Sequence, residues 1–215
     1  MRTLPFFALV GLLAAVAGCD SSSPTMPKPS YAAPDLKEVA NQFHDKDSNR
    51  TVSGEQVPLK FTDTEGKSVD LTSYRGKSNV VLVVVKGMPE FPGGIFCPGC
   101  LAQVNALTAN HEEFKKRDAE ILMVFPGPSN KLQQFLADGK VDGNSGNPKV
   151  PFPLLLDKDL KAVDTLGIRA DWAKPSTYIL DKQGNAVFAF VGETTTDRPS
   201  VKALLAQLDK LNVKK

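Results

Sequence analysis

Residues 80–85 read Val-Val-Leu-Val-Val-Val, an apolar run with no polar interruption. A strand with one wet face would alternate apolar and polar residues, and a helix this short would not stand alone. Unbroken, rich in β-branched residues and bounded by Lys86-Gly87, the run reads as a central strand buried on both faces. Such a strand needs a covering layer on each side, which narrows the fold to α/β. Residues 120–125 read as a second buried strand. Between the two, Leu101, Val104, Leu107 and Phe114 recur near helical spacing. That helix is predicted to continue to about Arg117, where Lys115, Lys116 and Arg117 suit its C-terminal dipole.

The remaining pattern fits the same architecture. Asp35 stands where it would cap a short helix carrying Leu36, Val39, Ala40 and Phe43. Residues 57–61 and 69–71 read as a hairpin around Asp63-Thr64-Glu65-Gly66. Ser129 is predicted to cap a helix bearing Leu132, Phe135 and Leu136, and the Gly- and Asn-rich residues 138–148 read as a surface loop. Residues 152–156 form a short strand, and Leu160, Val163 and Leu166 a helix that stops at Gly167. Residues 177–180 and 186–191 make a second hairpin around Asp181-Lys182-Gln183-Gly184. Val201, Leu204, Leu205, Leu208 and Leu211 line one face of a last helix. The expected fold is a central mixed β-sheet flanked by helices, with an N-terminal β-hairpin and an inserted αβ element.

The N-terminus carries a different signal. Arg2 precedes a short apolar stretch, residues 6–16, too brief to span a bilayer and typical of an export leader. It ends in Val16-Ala17-Gly18-Cys19, which resembles the lipobox of bacterial lipoproteins. That resemblance implies cleavage before Cys19 and acylation of Cys19, hence a lipid anchor on a membrane face toward the periplasm or cell exterior. Residues 1–18 are therefore read as a signal peptide, 19–34 as a Ser- and Pro-rich tether, 35–56 as an N-terminal helix and polar turn, and 57–213 as the main domain. The formal charge of +2 and the lack of a basic run give no footprint for nucleic acid.

Of the chain's three cysteines, lipid on Cys19 leaves only Cys97 and Cys100, in the sequence Cys97-Pro98-Gly99-Cys100. Two residues between cysteines at the mouth of a helix let the sulfurs meet. Pro98 suits the first helical turn, where its missing N–H is no loss, and the free N–H groups there favour an anion. On this reasoning Cys97 is the thiolate, its pKa lowered from about 8.5 toward the ~3.5–7.5 range of such motifs. Cys97 would attack and Cys100, more buried, would resolve the mixed disulfide. A zinc site built with His44 and His111 lacks ligand spacing, and a purely structural bridge across two residues removes little entropy from the unfolded chain. No metal or other cofactor is expected.

The order of elements, with Phe96-Cys97-Pro98-Gly99-Cys100 at a helix start, resembles the thioredoxin fold. More narrowly it is similar to the alkyl hydroperoxide reductase/thiol-specific antioxidant (AhpC/TSA, redoxin) family. The matching stretches are residues 71–77, 152–157 and 175–181 with Gly184. The resemblance implies that Pro175 is a cis-proline facing the cysteines and orienting a substrate backbone, with Trp172 and Lys174 beside the same groove. The chain departs from both branches of the resemblance. Gly94 stands where peroxiredoxins carry a hydroxyl and Glu90 where they carry a proline. No arginine stands near Pro175, and Arg169 and Arg198 are only distant stand-ins. Thioredoxins bury an acid behind the pair, but residues 80–85 carry no ionisable group.

Three functions follow as expectations. The first is a membrane-anchored thiol–disulfide oxidoreductase working on protein disulfides or dithiols with an unidentified electron-exchange protein. The second is a thiol peroxidase reducing hydroperoxides, and the third a non-enzymatic metal- or partner-binding lipoprotein. Asp45, Asp47 and Asn49 have the spacing of the first three ligands of a calcium loop. Arg50 replaces its glycine and Gln56 its final glutamate, so a polar surface turn is the expectation there.

Overall fold

A computed structural model describes residues 34–51, 59–89, 94–141 and 148–213. The leader, Cys19 and the tether through residue 33 lie outside the described residues, as do residues 52–58 with Gln56, residues 90–93 with Glu90, and most of the surface loop at 138–148. The described strands are β1 (Lys60–Asp63), β2 (Ser68–Asp70), β3 (Asn79–Val84), β4 (Ala119–Phe125), β5 (Leu154–Leu156), β6 (Ser176–Leu180) and β7 (Ala186–Val191). The helices are α1 (Leu36–Asn41), α2 (Pro98–Ala109), α3 (His111–Lys115), α4 (Ser129–Asp138), α5 (Lys161–Thr165) and α6 (Val201–Val213).

The strands form one mixed sheet in the order β2-β1-β5-β4-β3-β6-β7. β3 runs parallel to β4 and antiparallel to β6, so the all-apolar run sits at the middle of the sheet. Its side chains alternate between two cores. Val81, Val83 and Val85 join Cys100, Val104, Phe125, Phe135 and Leu204 on one face. Val80, Leu82 and Val84 join Leu71, Leu122, Val163 and Tyr178 on the other. Helices α2, α4 and α6 supply the first core, and α5 with a 3-10 turn at Leu71–Tyr74 supplies the second. This is the thioredoxin-like arrangement, an α/β sheet covered on both faces.

Two local expectations change. The helix after the cysteines ends at Ala109 rather than near Arg117, because Asn110 leaves helical geometry with φ −112° and ψ 11°. Its side-chain amide donates to the Ala106 carbonyl at 2.8 Å, a bond that competes with helix continuation. α4 is entered through Pro128, whose extended backbone (φ −77°, ψ 154°) is the cap, and Ser129 is already in the helix without a capping bond. Asp35 does cap α1, accepting from the Lys37 N–H at 2.8 Å.

The calcium-like spacing at 45–49 is put to another use. Asp45 accepts from Lys202 Nζ at 2.6 Å and also from the Ser200 hydroxyl. Asp47 accepts from Gln207 Nε2 at 2.7 Å, and Asn49 brackets Val191 by donating to its carbonyl at 2.9 Å and accepting from its N–H at 2.8 Å. The Ser48 hydroxyl takes the Ala189 N–H at 2.9 Å. The segment is a strap tied to the free edge of β7 and to α6, and it covers backbone groups that an edge strand would otherwise expose. Among the described residues no three His, Cys, Asp or Glu side chains converge for a metal ion, and no helix is long and apolar enough to cross a membrane.

Candidate functional site: a buried guanidinium on two sulfurs

The C-terminal end of β3 and the first turn of α2 converge on Cys97 and Cys100. Phe96, buried among Phe125 and Phe135, anchors the approach; its ring meets that of Phe135 edge-on with centroids 5.5 Å apart. Ile95, one residue earlier, is 60% exposed. Cys97 is the N-cap of α2, with Pro98 at the first helical position, and its carbonyl accepts the first intrahelical bond from the Leu101 N–H at 3.1 Å. Cys97 is half-buried, whereas Cys100 lies fully inside the core. The Lys86 N–H, just past β3, donates to Cys100 Sγ at 3.3 Å.

The decisive neighbour comes from the other end of the chain. Arg198, only 1% exposed, donates through Nη2 to Cys97 Sγ at 3.3 Å and to Cys100 Sγ at 3.1 Å. Nη1 donates to the Thr194 carbonyl at 3.0 Å, while the buried Nε has no partner. The loop carrying this side chain presses on the helix. A Cβ built at Gly99 would lie 1.7 Å from the Thr195 carbonyl oxygen, and one at Gly192 2.2 Å from that of Asp197. Glycine is the residue both approaches allow. The strap closes the arrangement from outside. The His44 N–H donates to the Arg198 carbonyl and the Ser200 N–H to the His44 carbonyl, each at 2.8 Å. The His44 ring lies 3.6 Å from the Asp197 carboxylate.

These contacts redistribute the protons of the pair. For Cys100 burial disfavours the charge. The thiol of Cys97, the Arg198 cation and the Lys86 N–H outweigh that and bring its pKa down to about 5. Cys97 moves the other way: its hydrogen bond to Cys100, then burial, then repulsion by the neighbouring sulfur push its pKa far up, with Arg198 opposing. The two sulfurs share one proton and titrate as a unit. The expected charge on Cys97 from the helix dipole alone gives way to one held by Arg198 across both sulfurs, with the Cys100 thiol the one brought down. A full charge in hydrogen-bond contact with the buried sulfur outweighs the partial charge of a helix end.

The other residues singled out from the sequence are dispersed. Pro175 stands at the start of β6 and its carbonyl accepts from the Gly192 N–H at 2.8 Å. Its peptide bond is trans, not cis as expected, since no described peptide bond is cis. Trp172 packs against the core on the face opposite Cys100, so its buried contacts are not those of a wall over the sulfurs. Lys174 is held by the Glu193 carboxylate, 2.8 Å from each oxygen, which ties the start of β6 to the loop that bears Arg198. Gln103, one turn beyond Cys100, donates to the Thr177 hydroxyl at 3.0 Å in the core. It is the polar pair under this end of the helix. Arg198, expected to be only a distant stand-in for the family's arginine, is instead the residue that meets both sulfurs. Its signal was weak: a lone arginine after Gly192-Glu193-Thr194-Thr195-Thr196-Asp197, outside every matching stretch.

Residues 53–189 match the model of the AhpC/TSA family. Chloroplastic peroxiredoxin Q of Suaeda salsa is 30% identical over 145 residues, covering 62% of this chain and 57% of the relative. Thiol-disulfide oxidoreductase ResA of Halalkalibacterium halodurans is 28% identical over 158 residues, covering 73% of this chain and 77% of the relative. The chain thus spans less than two thirds of the peroxiredoxin Q relatives. Among solved structures, peroxidoxin BcpB from Mycobacterium tuberculosis superposes with a TM-score of 0.58 at 19% identity, over 75% of this chain and 99% of that one. The mitochondrial 2-Cys peroxiredoxin from Plasmodium falciparum gives 0.60 at 17% identity, over 75% and 94%. The Arg198 loop lies beyond the matched residues, but they contain the strand β3, the cysteine helix and the β6–β7 hairpin through Ala189, and on them the chain belongs to the AhpC/TSA family.

Proposed function

We propose that the protein is a thiol–disulfide oxidoreductase that cycles Cys97 and Cys100 between dithiol and disulfide, exported and anchored to a membrane through lipid on Cys19. The observation that carries the reading is the pair of adjacent sulfurs, one half-buried and one fully buried, gripped by one guanidinium. Cys97 is the sulfur a substrate reaches. Passing its proton to Cys100 makes Cys97 the thiolate. It then attacks a substrate disulfide, forms a mixed disulfide and releases one substrate thiolate. That thiolate takes the proton from Cys100. Cys100 then attacks Cys97 Sγ, and the second substrate sulfur leaves as a thiolate that takes a proton from water. Two electrons pass from the pair to the substrate, and every step runs equally in reverse.

A second reading has its own support. The unpartnered Nε of Arg198 is a buried donor beside the sulfurs, and peroxiredoxin Q is among the relatives. In that reading a hydroperoxide oxidises Cys97 to a sulfenic acid, which condenses with Cys100 and releases water. Gly94 supplies no hydroxyl to help bind peroxide, so exchange is preferred. Cys97→Ser reduces either activity to background; a surviving rate overturns both readings. With Cys100→Ser, rapid peroxide consumption and a trapped sulfenate select the peroxidase. A stable mixed disulfide with a substrate protein and sluggish peroxide turnover select exchange. Full activity of both variants, or stoichiometric zinc that resists chelation, would turn the reading toward a binding lipoprotein.

A further inference from the structure

The direction of electron flow is written in the surroundings of Arg198. Its guanidinium is buried at 1% exposure, and its polar contacts are the Thr194 carbonyl and the two sulfurs. The Asp197 carboxylate acts on the guanidinium through space, and it is engaged by the Glu193 N–H at 3.0 Å and stands 3.6 Å from His44. The chain returns to the strap at this point, and the His44 N–H holds the Arg198 carbonyl at 2.8 Å. The cation is therefore fixed over the sulfurs by backbone as well as by its own bonds.

We propose that the Cys97–Cys100 pair is poised as an electron acceptor whose substrates are protein dithiols, because Arg198 neutralises the reduced pair and loses its hydrogen-bonded anion in the oxidised one. This rests on the exchange reading above and gives it a direction. A thiolate next to a buried guanidinium satisfies both charges. Joining the sulfurs removes the negative charge and leaves a neutral disulfide, a poor acceptor, while the cation keeps its burial. The Lys86 N–H loses its anionic partner in the same step. Asp197 acts on Arg198 through space in both redox states, so it does not replace the anion that the disulfide removes. Burial opposes a charge on the sulfurs, but the hydrogen bonds from Arg198 and the Lys86 N–H favour the reduced state and make the disulfide the reactive form.

A substrate thiol gives its proton to water and the resulting thiolate attacks Cys97 Sγ; the Cys97–Cys100 bond breaks, and Cys100 leaves as a thiolate onto Arg198 and the Lys86 N–H. The substrate's second thiol gives its proton to water and attacks the substrate sulfur of the mixed disulfide. Cys97 departs and takes up a proton. The substrate has lost two electrons and two protons. The pair has gained both electrons and one proton, and the other proton remains in solution.

The full-length chain carrying Cys19→Ser, so that only the pair titrates, is equilibrated with glutathione redox buffers and its reduced fraction measured. Arg198→Gln is expected to shift the equilibrium at least tenfold toward the disulfide, and Arg198→Lys, which keeps the charge but loses the fork, by less. A pair in Arg198→Gln that is equally or more oxidising overturns the proposal. The unsubstituted pair supplies an independent reading that needs no variant at the arginine. Between about pH 6 and 8 glutathione thiols stay mostly protonated. The constant for reducing the protein should there rise tenfold per pH unit, since one proton is released. A flat profile overturns the proposal while exchange itself stands, and a pair that does not equilibrate with glutathione at all defeats the exchange reading first.

Discussion

The first turn of α2 and the loop at residues 192–200 meet on the same sulfur atoms, and they are built in opposite ways. The turn is local: Cys97, Pro98, Gly99 and Cys100 are consecutive, and each has a role that helix geometry alone supplies. The loop brings one side chain, Arg198, across 98 residues to Cys100. It reaches the site through a backbone approach so close that position 99 must be glycine, and the strap at 43–49 ties it down from outside. The local region fixes where the sulfurs are. The distant one holds the negative charge of the pair, because a full positive charge 3.3 and 3.1 Å from the two sulfurs outweighs a helix dipole.

The largest expected effect separates these contributions through pH. Cys100 has a folded-state pKa depressed to about 5, against an ordinary thiol value of about 8.5 when unfolded. A depressed pKa contributes stability that is complete above the unfolded value and is lost as pH falls through the folded one. Cys97 is raised, so it contributes below the ordinary thiol range and costs stability above it. Relative to the disulfide form, the reduced protein should gain stability from about pH 5 to 8.5, with a limiting slope of about 1.4 kcal/mol per pH unit, and lose it above. Chemical denaturation of both redox forms across this range measures it. A constant difference would mean that the guanidinium does not govern the pair.

Gly99→Ala attacks the contact between the two regions. Its Cβ would fall 1.7 Å from the Thr195 carbonyl, so backbone must move, and we expect a loss of about 3 kcal/mol. A thiol titration of the same variant should show the thiolate weakened as the loop is displaced. Normal stability and normal titration together would show that the loop does not need that approach.

Asn49→Ala is the mildest probe, since it leaves both regions intact and loosens only the strap. It removes two bonds to the Val191 backbone, and we expect about 1–2 kcal/mol of destabilisation. The Val191 amide in particular should exchange with deuterium faster. Unchanged protection there would mean the strap is not what seals the edge of β7.

Much of this molecule can be read along the chain. The unbroken run at 80–85 becomes the central strand because nothing but a doubly covered sheet accommodates it. Both hairpins, the cysteine helix and the closing helix follow from turn residues and apolar spacing. Misreadings arise where a side chain competes with its own backbone or finds a remote partner. Asn110 ends α2 by bonding the Ala106 carbonyl, which no periodicity of Leu and Val reveals. Asp45, Asp47 and Asn49 lie in the expected polar surface turn, but their partners on β7 and α6 come from remote sequence.

Periodicity, turn chemistry and helix-end geometry act within a few residues, so the α/β class, the buried strand and two cysteines at a helix mouth are legible along the chain. That Arg198 lies over Cys97 and Cys100, and that residues 43–49 lash its loop in place, emerges only when the chain is folded. Charge and burial depend on distance in space, and spacing along the chain does not encode a contact made across 98 residues.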